Sequence, residues 1–358
     1  MFQRCVRHIN NPETIKVIKR KLFIFCNEKF NYVPTNQLIY FISNYIEITN
    51  EQLKQLKHFT NLTHLDVYHT IRDDGLKYLP NLIHIRITYN KNITDEGLKY
   101  LPNLTYLELE GTNITDNGLK YLTNLTHLKL HSNTNITDEG LKYLPNLTDL
   151  NLYENTNITD EGLQYLPNLT KLNLHYNENI TDKGLKYLHK LTRLSLSCNK
   201  NITNEGLKYL PNLTYLNLGH NQNITDEGLK YLPNLTHLYL YINTNITDEG
   251  LKYLLKLRYL VLNLNKNITD EGLKYLPNLN ELILQYNTNI TNEGLKYLPN
   301  LTYLDIDNNK NITDEGLKYL PNLTHINFLK INKMSNNILK YIPKLIILNG
   351  FKVYKPYT

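Results

Sequence analysis

Apolar residues fall along this chain in two alternating rhythms. In "LTHLKLHSN" (residues 125–133) they stand at Leu125, Leu128 and Leu130, and the last two have the every-other-residue spacing of a short strand. In "ITDEGLKYL" (residues 136–144) the spacing becomes helical, with Leu141 and Leu144 three apart. Thr137 or Asp138 is placed to cap that helix, and acidic Asp138 and Glu139 suit its positive end. Pro145 stops it, because proline has no N–H to continue the hydrogen-bond ladder. The pattern predicts a strand, a corner, one or two helical turns and a second corner.

The same pattern returns along the chain. The leucine that opens each strand half stands at Leu62, Leu82, Leu104 and Leu125, then every 22 residues to Leu345, fourteen times in all. One such unit cannot bury its leucines alone; stacked, each covers the next and the leucines form one core. "LTHLKLHSN" followed by "ITDEGLKYL" resembles the leucine-rich repeat, LxxLxLxxN. The variant is similar to the short-helix repeats of F-box-associated receptors and of proteins from bacteria, amoebae and large DNA viruses. The resemblance covers roughly residues 48–348. It implies an α/β fold, a leucine-rich repeat solenoid forming a curved arch with a concave parallel β-sheet and short convex helices. Where the variant usually has cysteine, this chain has Asn90, Asn133, Asn155, Asn177, Asn199, Asn221, Asn243, Asn265, Asn287 and Asn309. In asparagine-type repeats that side chain bonds neighbouring backbone groups inside the bend, as buried polar groups require.

The expected organisation is an N-terminal cap over residues 1–47, the repeat array over 48–348 and a tail over 349–358. In the cap, "NPETIKVIKRKLFIFC" reads as a helix with Ile15, Ile18 and Leu22 on one face. "VPTNQLIYFISNYI" resembles the opening of an F-box at Pro34, Leu38, Phe41 and Ser43, with Asn36 where that motif has glutamate. That resemblance implies an alternative role, a substrate receptor that holds a ubiquitin-ligase adaptor at its start. The plain cap is the preferred reading.

Variation among the copies is uneven. "TDEGLKYLPNL" hardly changes, whereas the residues beside the strand leucines change freely, and alternate strand residues face out of the sheet. One outward column reads His64, His84, Tyr106, His127, Asp149, Lys171, Arg193, Tyr215, His237, Tyr259, Glu281, Tyr303, His325. The next begins Asp66, Arg86, Glu108, Lys129 and then becomes largely neutral, with Asn151, Asn173, Ser195 and Asn217. His237, Tyr239, Tyr241, Ile242, Tyr259, Val261, Leu264, Ile283 and Tyr286 make the candidate partner-binding patch. Aromatic and branched apolar side chains gathered on an exposed sheet have the composition of a protein-binding hot spot.

Charge and composition narrow the function further. The net charge of +6 is modest, and the 39 basic residues form no dense block, which argues for a solvated face over a nucleic-acid groove. Alanine and tryptophan are missing and tyrosine is abundant (29 residues), a bias of AT-rich codons without bearing on activity. Cys5, Cys26 and Cys198 lack ligand-like spacing and read as reduced thiols. No apolar stretch is long enough to span a bilayer, and no secretory signal opens the chain, so an intracellular, cytoplasmic protein is expected. The many "NLT" and "NIT" sequons are then corner residues of the fold, not glycosylation sites. His64 and His84 are expected as neighbours, but no third ligand, nucleophile or phosphate loop accompanies them. The expectation is a non-enzymatic module without cofactor or metal, binding a protein partner, not nucleic acid or membrane, on its concave face. Besides the ligase receptor, a structural spacer without a specific ligand is the remaining alternative.

Overall fold

A computed structural model describes residues 40–42, 50, 54, 62–67, 71–132, 135–328, 338–348 and 351–352. These fall into two compact units, Met1–Asn151 with Asn155–Ile158, and Leu152–Glu154 with Thr159–Thr358. In the first unit β1 (Tyr40–Ile42), β2 (His64–Val67), β3 (His84–Thr88), β4 (Tyr106–Glu110), β5 (His127–His131) and β6 (Asp149–Asn151) pair in parallel, in chain order. β1 lies in the segment read as a cap. The remaining N-terminal features (the Ile15–Ile18–Leu22 helix, Cys5, Cys26 and the rest of the F-box-like stretch) lie outside the described residues, as does Asn133.

The second unit continues the same rule. β7 (Lys171–Asn173), β8 (Arg193–Ser195), β9 (Tyr215–Asn217), β10 (His237–Tyr239), β11 (Tyr259–Val261), β12 (Glu281–Ile283), β13 (Tyr303–Asp305), β14 (His325–Asn327) and β15 (Ile347–Leu348) are parallel in order. β16 (Phe351–Lys352) then turns back antiparallel. Between strands the chain makes single helical turns such as Asp95–Leu98 and Asp226–Leu229. The predicted α/β repeat is therefore present in each unit. The leucines and isoleucines of the recurring pattern, among them Leu238, Leu240, Ile246, Leu251, Leu254 and Leu257, are wholly buried.

Buried apolar area does not by itself fix the register; polar hand-offs between repeats do. Asn221 Oδ1 accepts from the backbone N–H of Asn223 and Ile224 at 3.0 Å, and its Nδ2 donates to the Asn199 and Leu196 carbonyls of the preceding repeat. Asn243, Asn265 and Asn287 repeat this arrangement. The sequon asparagines are used as well: Asn234 Nδ2 donates to Pro211 O at 3.1 Å, and Asn245 Nδ2 donates to Gln222 O.

A second ladder runs along the helical turns, and here the expected roles divide. Threonine is the cap: Thr247 Oγ1 accepts from Glu249 N at 3.3 Å. The aspartate serves the next repeat instead, since Asp226 accepts from the backbone N–H and the hydroxyl of Thr247 at 2.8 and 2.6 Å. The glycine three residues after that threonine follows from the contact, because a Cβ on Gly250 would collide with Asp226 Oδ1. The lysines of the turns pair with the glutamate three residues before them, as in Lys99–Glu96 and Lys142–Glu139, each at 2.5 Å.

Two repeats carry Asn204 and Asn292 in place of that aspartate. Asn204 still accepts from Thr225 N at 3.0 Å, but its Nδ2 now donates to Thr225 Oγ1 at 2.8 Å. Thr225, and likewise Thr313 after Asn292, then makes no cap hydrogen bond. Asn204→Asp is thus expected to restore the cap and raise the unfolding free energy read from urea titration, by about 0.5–2 kcal/mol. Asn221→Ala should lower it by about 1–3 kcal/mol by leaving buried backbone groups unpaired. Equal midpoints for all three proteins would show that neither ladder sets the stability.

Candidate functional site

The strand register places the outward columns where the sequence put them. In the first unit His64, His84, Tyr106 and His127 are paired neighbours. Their rings form a ladder, with centroids 5.0 Å apart for His64–His84, 3.8 Å for His84–Tyr106 and 6.0 Å for Tyr106–His127. Burial, then the neighbouring His64 and Arg86, push the His84 imidazole down to about 4. In the next column Glu108 lies between two cations, Arg86 at 3.0 Å and Lys129 at 3.4 Å, and accepts from the Tyr106 hydroxyl at 2.7 Å. Burial disfavours its charge, but that hydrogen bond and the two cations outweigh it and hold the carboxyl below its ordinary range. This face neutralises itself from within.

The face of the second unit is aromatic. Tyr239 lies 5.1 Å from Tyr215 and 5.2 Å from Tyr259, and His237 stacks on Tyr259 at 5.5 Å. The Arg193 guanidinium covers the Tyr215 ring at 4.0 Å. Burial, then the Tyr239 phenol, pushes the Tyr215 hydroxyl up to about 12, and Tyr259 shifts upward mainly through burial. Tyr215 and Arg193 thus belong to the same platform as His237, Tyr239 and Tyr259. Both stand in the first outward column, but the sequence patch left them out because it weighted the late repeats.

The other patch residues separate by position. Ile283 stands beside Val261 in register and is half-buried. Val261, expected in the exposed patch, is only 5% exposed, a short side chain set between Tyr239 and Ile283. Tyr241 lies over the backbone of Gly219, where an added Cβ would fall inside its ring. Its hydroxyl is 2.6 Å from Ser197 Oγ, which in turn donates to Gly219 O. Tyr241 is packed down on the preceding repeat and half-buried.

Ile242, Leu264 and Tyr286 occupy a rim that the apolar pattern could not reveal. Each repeat's residue before the corner asparagine has positive φ, from Tyr89 through Tyr176, Cys198 and His220 to Ile242 (φ 51), Leu264 (53), Tyr286 (55) and Asn308. The left-handed conformation costs a non-glycine residue roughly 1–2 kcal/mol, and a β-branched one is worst placed there. It also turns the side chain outward: Ile242 is 37% exposed, Leu264 46% and Tyr286 51%. The signal available in sequence is positional only, one residue before the corner asparagine.

Among the described residues no group of three or more His, Cys, Asp or Glu side chains could hold a metal ion, and no helix is long and apolar enough to cross a membrane. Cys198 is a free thiol on the rim.

A family profile described as "Leucine Rich repeat" matches eleven overlapping segments from residue 78 to residue 320. An internalin of Listeria monocytogenes is 28% identical over 84% of this chain and 89% of its own, with a TM-score of 0.55. An LRR protein of Leptospira interrogans is 24% identical over 84% of this chain and 94% of its own (TM-score 0.57). A chain of the yeast Rad7 and Elc1 complex is 20% identical over 94% of this chain and 92% of its own (TM-score 0.52). No curated protein matches the sequence.

The ring ladder of the first unit makes stability depend on pH with a definite sign. Because His84 drops from 6.5 to about 4 on folding, the unfolded chain takes up a proton that the folded chain refuses between those values. Its contribution is complete above pH 6.5 and is lost as the pH falls towards 4. The charged and titratable groups around it are His64, Arg86, Glu108 and Lys129. His84→Tyr, which copies the residue at position 106, is expected to flatten the fall in urea midpoint between about pH 7 and pH 5. An undiminished fall in the variant would assign that dependence to another group.

Proposed function

The chain belongs to the leucine-rich repeat family, and on that footing we propose that it is a non-enzymatic protein-binding module whose partner lies on the open sheet face of its second unit. The observation that carries this reading is a division between used and unused side chains. The repeated residues are spent on the scaffold: corner asparagines on carbonyls and aspartates on the next repeat's threonine, lysines on the glutamate of their own turn. The platform of Tyr215, His237, Tyr239 and Tyr259 and the rim of Ile242, Leu264 and Tyr286 hold large apolar surfaces with no such task. Aromatic anchors in a partly desolvated cluster are the side chains from which interfaces draw most of their binding energy. That a similar structure is a complex of Rad7 with Elc1 agrees with a scaffold that meets proteins.

The test selects phage-displayed random peptides on the purified protein and compares two sets of substitutions. Tyr239→Ser with Tyr259→Ser removes the platform and spares Tyr241, which packs on Gly219. Tyr231→Ser, Tyr253→Ser and Tyr275→Ser remove similar rings from the helical side, where Lys230 and Lys252 lie over the first two. Enriched peptides should lose affinity for the platform variant, by about 2 kcal/mol or more per anchor, and keep it for the helical-side variant. Both variants must first melt cooperatively like the parent. The opposite pattern would place binding on the helical side, and no enrichment at all would favour a spacer.

A further inference from the structure

Resting on that reading, we propose that the partner of the second unit's face presents a basic side chain, lysine or arginine, a short extended distance from an apolar anchor. The inference comes from how the two units treat acids on the sheet. In the first, Glu108 is held between Arg86 and Lys129 on the adjoining strands. In the second, Glu281, Asp305 and Asp307 crowd onto neighbouring repeats, and no ion pair joins a cation to any of them among the described residues. Their contacts are neutral: Gln285 Nε2 donates to Asp305 Oδ2 at 2.9 Å, the backbone N–H of Asp307 donates to Asp305 Oδ1, and Asn308 Nδ2 donates to Asp307 Oδ2. Asp307 Oδ1 is out of contact with solvent and has no hydrogen-bond donor. Asp305 itself is only 5% exposed. Like charges set this close, and half-desolvated, favour a cation that arrives from outside.

The apolar half of the same surface is fixed independently by the rim. Ile242 is a β-branched residue held at φ 51 with over a third of its surface in solvent, so neither backbone preference nor packing accounts for it. Leu264 and Tyr286 continue its row, and the Tyr286 N–H is bonded to the Asp307 carbonyl. The rim therefore runs directly into the acids. From the Leu264 repeat to the Asp307 repeat is two strand spacings, roughly 10 Å, which an extended chain covers in about three residues. An apolar side chain over Ile242 and Leu264 with a lysine or arginine about three residues further on fits both halves at once.

The probe is a fluorescein-labelled peptide with a Trp-Leu pair, a Ser-Ser spacer and an Arg-Lys pair, set against its Glu-Glu counterpart, in fluorescence anisotropy with the full chain. The basic peptide should bind and the acidic one should not, with binding weakened by added salt. Asp305→Asn with Asp307→Asn should weaken the basic peptide about tenfold or more, and so should Ile242→Ser with Leu264→Ser. The amide variant keeps size and an acceptor for the Asp307 N–H, and thermal melts verify that each variant is folded. Equal binding of both peptides, abolished by Tyr239→Ser with Tyr259→Ser, would overturn the basic partner and leave the platform reading standing. Binding of neither peptide, or indifference to the two aspartates, would overturn the proposal.

Discussion

Among the described residues, the repeats of this protein satisfy their buried polar groups only with the help of their neighbours. The corner asparagine turns its carbonyl oxygen to its own backbone, but its two N–H groups find acceptors one repeat back. The aspartate of one helical turn completes the threonine of the next. Leucine burial supplies the drive to stack, yet burial is indifferent to small slips, whereas a slipped hydrogen bond leaves a desolvated group unpaired. The near-verbatim repetition follows: a residue that must meet its own counterpart on both sides can change only if the neighbours accept the change. The substitutions at Asn204 and Asn292 illustrate this, each altering the threonine of the following repeat while its own turn is intact.

Freedom is confined to side chains that these contacts do not use. On the sheet face the two units have spent it differently. The first compensates within itself, with stacked rings and an acid between two bases. The second gathers tyrosines under one arginine, and among the described residues no ion pair joins a cation to Glu281, Asp305 or Asp307. A surface that already holds its own countercharges has little to gain from an outside ion, while one that does not is selective by default.

Much of this was legible in the sequence. The spacing of leucines gave the strands, the helical turns and the outward columns, because burial and periodicity are read from residue type and position alone. Residue type was insufficient where one side chain suits two tasks. An aspartate at a helix start is favourable to its own helix, so nothing local betrays that Asp226 is engaged with Thr247. The conformation of the rim was invisible for a related reason: tyrosine, serine, glutamate, cysteine, histidine, isoleucine, leucine and asparagine all occupy it at positive φ, so residue type does not mark it. Val261 and Tyr241 depended on neighbours a whole repeat away, the bulk around one and the missing side chain of Gly219 beneath the other.

The hydrogen bonds that join repeats link positions about 22 residues apart, as Asn221 does to Asn199, and their chemistry is nearly the same at every step. Removal or duplication of one whole repeat would therefore leave each surviving junction with a partner of the right kind. Near-identical repeats of this kind can change in number while every remaining junction keeps the same chemistry. Each such event would lengthen or shorten the ruled distance between features on the face by one strand spacing, so lineages could retune the reach of the surface in discrete steps while its core chemistry stays constant.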